Sequence, residues 1–264
     1  YAMSKEYFDE FGAPTDLLMG KAFPEFDEPV KREPLFRILD WGVDRYQGDA
    51  PEIDWLIEGI LPSETPGMIC SLGGVGKSYL MMDLCVRLAA GPGLGLSFAL
   101  GGRMPRRGRA VMITAEDSSK ALHRRLNQIL LDSEKEKLRD WLYIVPLADH
   151  QGQKSLLATH GGEYVMTEVW DELVEQIVEL SQMPGGIDLL VLDPLQAMVM
   201  ADVNSDPAAA AAFWSAISGL CAQVKCTCLV THHMNKASLG GVEGPMGARE
   251  SIRGTTSLVD SARW

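Results

Sequence analysis

Five short, near-continuous apolar stretches punctuate this chain. Each is followed by polar or glycine-rich residues and then by a helical stripe. The first is Met68-Ile69-Cys70, approached through residues 53–61 with Trp55 as an anchor. The others cover 110–114, 141–147, 187–192 and 226–231. Apolar runs of this length between turn signals predict buried strands. Between them, apolar positions recur every three or four residues and predict helices. One covers 79–90, with Leu80, Met81, Leu84, Cys85 and Leu88 on one face. A second carries Leu122, Leu126, Ile129 and Leu130. A third spans 164–182, with Val165, Val169, Leu173, Ile177 and Leu180 as its stripe, and a fourth spans 208–224. The alternation βαβαβαβαβ predicts an α/β fold, with a mostly parallel central sheet and helices on both faces.

The remaining stretches lack such a period. Residues 148–162 read as a polar loop and 234–249 as a glycine-rich one. The segment 101–109 holds Arg103, Arg106, Arg107 and Arg109 without an acid, and reads as a solvated hairpin or loop. Residues 35–46 predict a short amphipathic helix from Leu35, Ile38, Leu39, Trp41 and Val43. Residues 1–50 form an acidic N-terminal arm with Pro14, Pro24, Pro29 and Pro34, and 51–264 form the folded domain. The chain stops where such a fold would start another strand, so the C-terminus reads as truncated.

Composition narrows the classes. The 264 residues are 46% hydrophobic and 23% charged, as in a globular domain. The net charge is −12, and residues 1–58 hold fourteen acids against six bases. That balance argues against a surface broadly adhesive to nucleic acid, but not against a local basic channel. No apolar run looks long enough to cross a membrane and no signal peptide is visible. The five cysteines form no Cys-x-x-Cys pair and read as reduced, buried thiols of a cytoplasmic protein.

The chemistry gathers where strands end. After the first strand come Ser71-Leu72-Gly73-Gly74-Val75-Gly76-Lys77-Ser78-Tyr79, the P-loop arrangement, with Ser71 where the usual pattern has glycine. Glycines let consecutive N–H groups turn around a phosphate, and the following helix points its positive end there. Residues Gly73 to Tyr79 are thus the candidate ATP cradle. Lys77 supplies a charge for the β- and γ-phosphates, and Ser78 a ligand for Mg²⁺. Asp193, closing an apolar strand, has the Walker B form and is the second metal candidate. Glu116 is the candidate general base for hydrolysis, with Asp117 read as the helix cap, near Asp117 or Ser118. His232 and His233 fall on opposite faces of a strand end, so one of them can face the nucleotide. Arg253, beyond a loop, is the candidate arginine finger, with Lys236 and Arg263 behind it.

Together these residues resemble the RepA family of hexameric replicative helicases, within the RecA-like P-loop ATPases. The resemblance runs from about residue 53 to 264. It rests on Ser71–Ser78, Ala115-Glu116-Asp117 with His123-Arg124-Arg125-Leu126, Val191-Leu192-Asp193, Thr231-His232-His233, and Arg253-Gly254-Thr255-Thr256 with Arg263-Trp264. It implies a RecA-like fold, ATP and Mg²⁺ as cofactors, and Glu116 as the catalytic carboxylate. It also implies a phosphate-sensing histidine at 232 or 233, and Arg253 acting across a subunit interface. A homo-oligomeric ring of about six, movement on single-stranded DNA and no membrane are its remaining implications. The expected channel loops, 194–207 and 234–249, are poor in bases. The first holds Asp202 and Asp206, and the second sets Lys236 and Arg249 against Glu243 and Glu250. A RecA- or KaiC-like ATPase of recombination, repair or regulation, without unwinding, is the alternative reading.

Overall fold

The structure is a computed structural model that describes residues 36–233 and 256–264. By its internal packing the chain divides into Tyr1–Pro51 and Glu52–Trp264.

In the first unit, Ile38–Trp41 and Val43–Tyr46 are two single 3-10 turns, not the amphipathic helix that the spacing predicted. Gly42 separates them, and neither has a side-chain cap. The Arg45 guanidinium lies 4.7 Å from the Trp41 ring centroid.

The second unit is built on a five-stranded sheet, all parallel, in the order β3 (Pro66–Ser71), β11 (Thr227–His233), β10 (Leu189–Asp193), β6 (Ala110–Thr114) and β7 (Leu142–Pro146). In chain order, β1 (Trp55–Ile57) and β2 (Leu61–Pro62) form a small ribbon before β3 (Pro66–Ser71). Helix α1 (Lys77–Ala90) follows, then a hairpin of β4 (Phe98–Ala99) and β5 (Gly102–Arg103). Next come β6 (Ala110–Thr114), α2 (Ser119–Ile129), α3 (Asp132–Lys137) and β7 (Leu142–Pro146). A second hairpin, β8 (Leu157–His160) and β9 (Glu163–Met166), leads into α4 (Glu168–Gln182) and β10 (Leu189–Asp193). The short α5 (Leu195–Met198), α6 (Pro207–Val224), β11 (Thr227–His233) and α7 (Thr256–Asp260) complete it. All five predicted core strands are present.

Alternation along the strands divides the core in two. Met112, Val191 and Leu229 face α1 through Met81, Leu84 and Leu88. Ile113, Leu190, Leu192 and Val230 face α4 and α6 through Leu173, Ile177, Phe213 and Trp214. Helix α6 has the length and apolar composition to cross a membrane. That amends the expectation that no segment does. Here Phe213, Trp214, Ile217 and Leu220 are buried in the core. Trp214 donates Nε1–H to the Leu258 carbonyl at 2.9 Å.

Three expectations need correcting. Residues 164–167 are not helical. Val165 and Met166 belong to β9, and α4 begins after Thr167, whose hydroxyl caps it by accepting from the Trp170 N–H. The supposed polar loop 148–162 therefore contains β8, turned by Gly161 and Gly162. The arginine run is in part the expected solvated hairpin, since Arg103 ends β5 and is exposed, but the next three arginines are tied down. Arg106 bonds Asp54 through both terminal nitrogens, at 2.7 and 3.0 Å. Arg107 donates to the Ala89 and Lys137 carbonyls and lies 4.3 Å from the Trp141 ring centroid. Arg109, only 2% exposed, donates to the Asp140 carbonyl at 2.9 Å and that of Pro184 at 3.1 Å. These three guanidinium groups are thus committed to backbone carbonyls and acids of the fold. The cysteines are free, and Cys70 is half-buried while the other four are buried.

Candidate active site

The sheet order places β3, β11, β10 and β6 side by side, so the polar residues ending each strand meet at one edge. A cleft of about 270 Å³ opens there, and Lys77, Ser78, Glu116, Asp193 and His233 all line it.

The P-loop turns out of β3 at Ser71, whose hydroxyl donates to the Leu72 carbonyl at 3.2 Å. Serine thus occupies the turn where glycine is usual. Gly74 and Gly76 have φ of +79° and +94°, which an L side chain adopts only with strain. Helix α1 starts at Lys77 with Gly76 as a cap that offers no side chain. Its first-turn N–H groups are therefore not bonded by a side-chain cap, the usual setting for an anion at a helix N-terminus. Gly74, Gly76, Lys77, Ser78 and Tyr79 line the cleft. Gly73 and Val75 do not, and the Val75 side chain is exposed.

Lys77 is 8% exposed and its Nζ donates to the Ser71 and Leu72 carbonyls at 3.1 and 3.0 Å. Burial pulls its pKa below the ordinary lysine range, against the negative charges of Asp193 and Glu116. Its Nζ also lies 3.1 Å from His233 Nδ1. An ammonium only donates, so Nδ1 accepts and the ring proton belongs on Nε2. That nitrogen lies 3.9 Å from Glu116 Oε1. His233 thereby stands between the candidate phosphate-binding lysine and the candidate base. His232, one residue earlier, is fully buried and does not line the cleft. Of the paired histidines, His233 is the one the strand turns to the site.

Asp193 is 1% exposed. Its Oδ1 accepts from the buried Thr231 hydroxyl, while Oδ2 has no hydrogen-bond partner among the described residues. A buried carboxylate oxygen without a donor is costly unless a cation answers it. With the Ser78 hydroxyl in the same cleft, the donor set is oxygen only, which suits Mg²⁺. Among the described residues no three His, Cys, Asp or Glu side chains gather to hold a metal by themselves. Mg²⁺ shared with substrate phosphates and water needs no such cage.

Asp117 is not the cap expected of it. Ser118 caps α2 by accepting from the Ala121 N–H at 3.4 Å. Asp117 is paired with Arg125, and Arg125 lines the cleft. In the sequence Arg125 stands out only within the resemblance, and its pairing with Asp117, eight residues away, leaves no local signal. Arg253, Lys236 and Arg249 lie outside the described residues. Arg263 is described, and its N–H donates to the Pro66 carbonyl at 2.9 Å.

A parallel sheet in this order, with a P-loop on one edge strand and a Walker B aspartate two strands away, defines a RecA-like P-loop NTPase. A family model described as "AAA domain" matches residues 31–238, and the chain belongs to that family of P-loop ATPases. Among solved structures the chain is similar to a KaiC-like protein of the hyperthermophilic archaeon Pyrococcus horikoshii OT3. That match has 16% identity, covers 79% of this chain and 72% of that one, and has a TM-score of 0.43.

Proposed function

We propose that the cleft hydrolyses ATP with Mg²⁺, and that hydrolysis drives movement on single-stranded DNA in a RepA-type homo-oligomeric ring, with duplex unwinding as the outcome. The observation that carries the hydrolytic part is the meeting of Lys77, Ser78, Glu116, Asp193 and His233 in one cleft.

The amides from Gly74 to Tyr79 and the Lys77 ammonium bind the phosphates. Ser78 and Asp193 would hold Mg²⁺, which would supply charge neutralisation for the phosphates. Glu116 accepts a proton from the attacking water. Its side chain is 55% exposed, so water reaches it. His233, with Nδ1 3.1 Å from Lys77 Nζ and Nε2 3.9 Å from Glu116 Oε1, stands between the two and senses the bound phosphate. Arg253 of one copy stabilises charge in the site of the next.

A second reading has its own support. Between β10 and α6, residues 194–206 contain no lysine or arginine. Asp206 there caps α6 by accepting from the Ala208 N–H at 2.7 Å, and Asp202 accepts from Asn204 and Ser205. A loop without bases favours a RecA- or KaiC-like ATPase that regulates or repairs without unwinding. ATP hydrolysis measured against single-stranded DNA concentration, at two salt concentrations, separates the two. Stimulation that weakens with salt supports the DNA motor. Hydrolysis indifferent to DNA at low salt removes it and leaves the regulatory ATPase.

A further inference from the structure

A second cavity, of about 370 Å³, opens at the carboxyl ends of β6, β7 and β10 on the α4 face of the sheet, away from α1. Its floor is aliphatic and sulfur-bearing, from Ile113, Val145, Leu192 and Met198. One wall is a face of α4, where Val169, Glu172, Leu173 and Gln176 follow the helical spacing. The opposite rim carries Lys154.

The walls are tied to one another. Leu156 N–H donates to the Met198 carbonyl at 2.7 Å, Met200 N–H to Ser155 Oγ at 2.7 Å, and Thr167 N–H to the Leu156 carbonyl at 3.1 Å. The cavity is therefore preformed, and its volume suits a small organic molecule. Glu172 and Lys154 both line it but are not paired with each other. Glu172 Oε1 accepts from Gln176 at 3.4 Å along its own helix. Lys154 donates only to the Ala148 carbonyl, at 3.2 Å, and meets no carboxylate among the described residues. An ammonium with donors to spare, beside an aliphatic floor, complements an apolar body with one anionic end.

We infer that this cavity is an effector site for a small apolar acid, a body of one or two rings bearing a single carboxylate or sulfonate. The rings lie on the floor and the acid meets Lys154. The site is coupled to hydrolysis through its own strands. Ile113 directly precedes Thr114, and Leu192 directly precedes Asp193. The Ala115 N–H donates to the Asp193 carbonyl at 2.9 Å, joining the two strand ends. A ligand that shifts this floor shifts the carboxylate at the end of β10.

The probe is 1-anilinonaphthalene-8-sulfonate, titrated by fluorescence into the full chain without nucleotide. Saturable enhancement with a single class of site is expected. Val169→Trp fills the cavity, and Lys154→Met removes its charge. Each should weaken binding about tenfold, the loss expected for a charge-assisted contact or an obstructed site, while Lys154→Arg keeps most of it. Circular dichroism and melting verify that each variant is folded. Saturating probe should also change the rate of ATP hydrolysis in the parent chain but not in Val169→Trp. Enhancement unaltered by both Val169→Trp and Lys154→Met would place the dye elsewhere and overturn the site. Absence of saturable binding would do the same. Site-dependent binding that leaves hydrolysis unchanged would overturn the effector role.

Discussion

Replacing Thr231 by valine conserves the shape of a fully buried side chain and removes one hydroxyl. That hydroxyl is the donor to Asp193 Oδ1, and Asp193 Oδ2 already has no partner among the described residues. The variant therefore leaves a carboxylate that is 1% exposed with neither oxygen satisfied. Stripping a buried acceptor of its partner costs about 1–3 kcal/mol. For a domain of this size that lowers the melting temperature by roughly 2–12 °C. The Lys77 charge, which interacts with Asp193, offsets part of the loss and favours the lower half of that range. The assay is thermal unfolding without Mg²⁺ or nucleotide. Adding Mg²⁺ and ATP should narrow the gap, because a cation replaces the missing donor and binds only the folded chain. Thr231→Val combined with Asp193→Leu should melt no lower than Thr231→Val alone, since removing both partners relieves the orphaned charge. A Thr231→Val protein melting within about 1 °C of the parent, with the metal absent, would refute the reasoning.

Other consequences follow from single contacts. Lys77→Ala should lower hydrolysis by about a hundredfold or more, because Arg125, the other cation lining the cleft among the described residues, is already paired with Asp117; steady-state phosphate release measures it, and near-parental turnover would exclude the role. Trp214→Ala should cost about 3–5 kcal/mol in a urea titration, since the ring is 2% exposed and its N–H serves the Leu258 carbonyl. A loss below about 1 kcal/mol would mean that the α6–α7 contact is not formed in solution. Burial pushes the Cys70 thiol up to about 12, so its thiolate forms only as pH approaches that value. At pH 8, Cys70 should react slowly with a disulfide reagent in the native protein, whereas all five thiols react in denaturant. Rapid native labelling of Cys70 would contradict its placement under the P-loop.

The parallel sheet and the phosphate loop were legible because their signals are local. Val111 to Ile113 and Leu189 to Leu192 are apolar on both faces, as strands between two helical layers must be. Gly74, Gly76 and Lys77 mark the loop whatever the tertiary context. Other features depend on pairing across the fold. Val165 fits the stripe of α4 by spacing, yet it pairs with Ala158, and only the Gly161-Gly162 turn and the Thr167 cap betray the hairpin. The arginines at 106, 107 and 109 read as a charge run because their partners lie 18 to 82 residues away in sequence. Strand alternation separated His232 from His233 but gave no sign of which faced the cleft; the tertiary contact of His233 with Lys77 decides that. Asp117 was misread as a cap because its partner, Arg125, lies two turns along the next helix.

Everything proposed for this cleft depends on its hydrolysing ATP with Glu116 as the base. The most direct measurement is Mg²⁺-dependent ATP turnover of the parent chain beside Glu116→Gln, with nucleotide affinity measured on both. Similar affinities are expected, with a turnover lower by about 10²–10⁴-fold in Glu116→Gln. Undiminished turnover in Glu116→Gln would contradict that role.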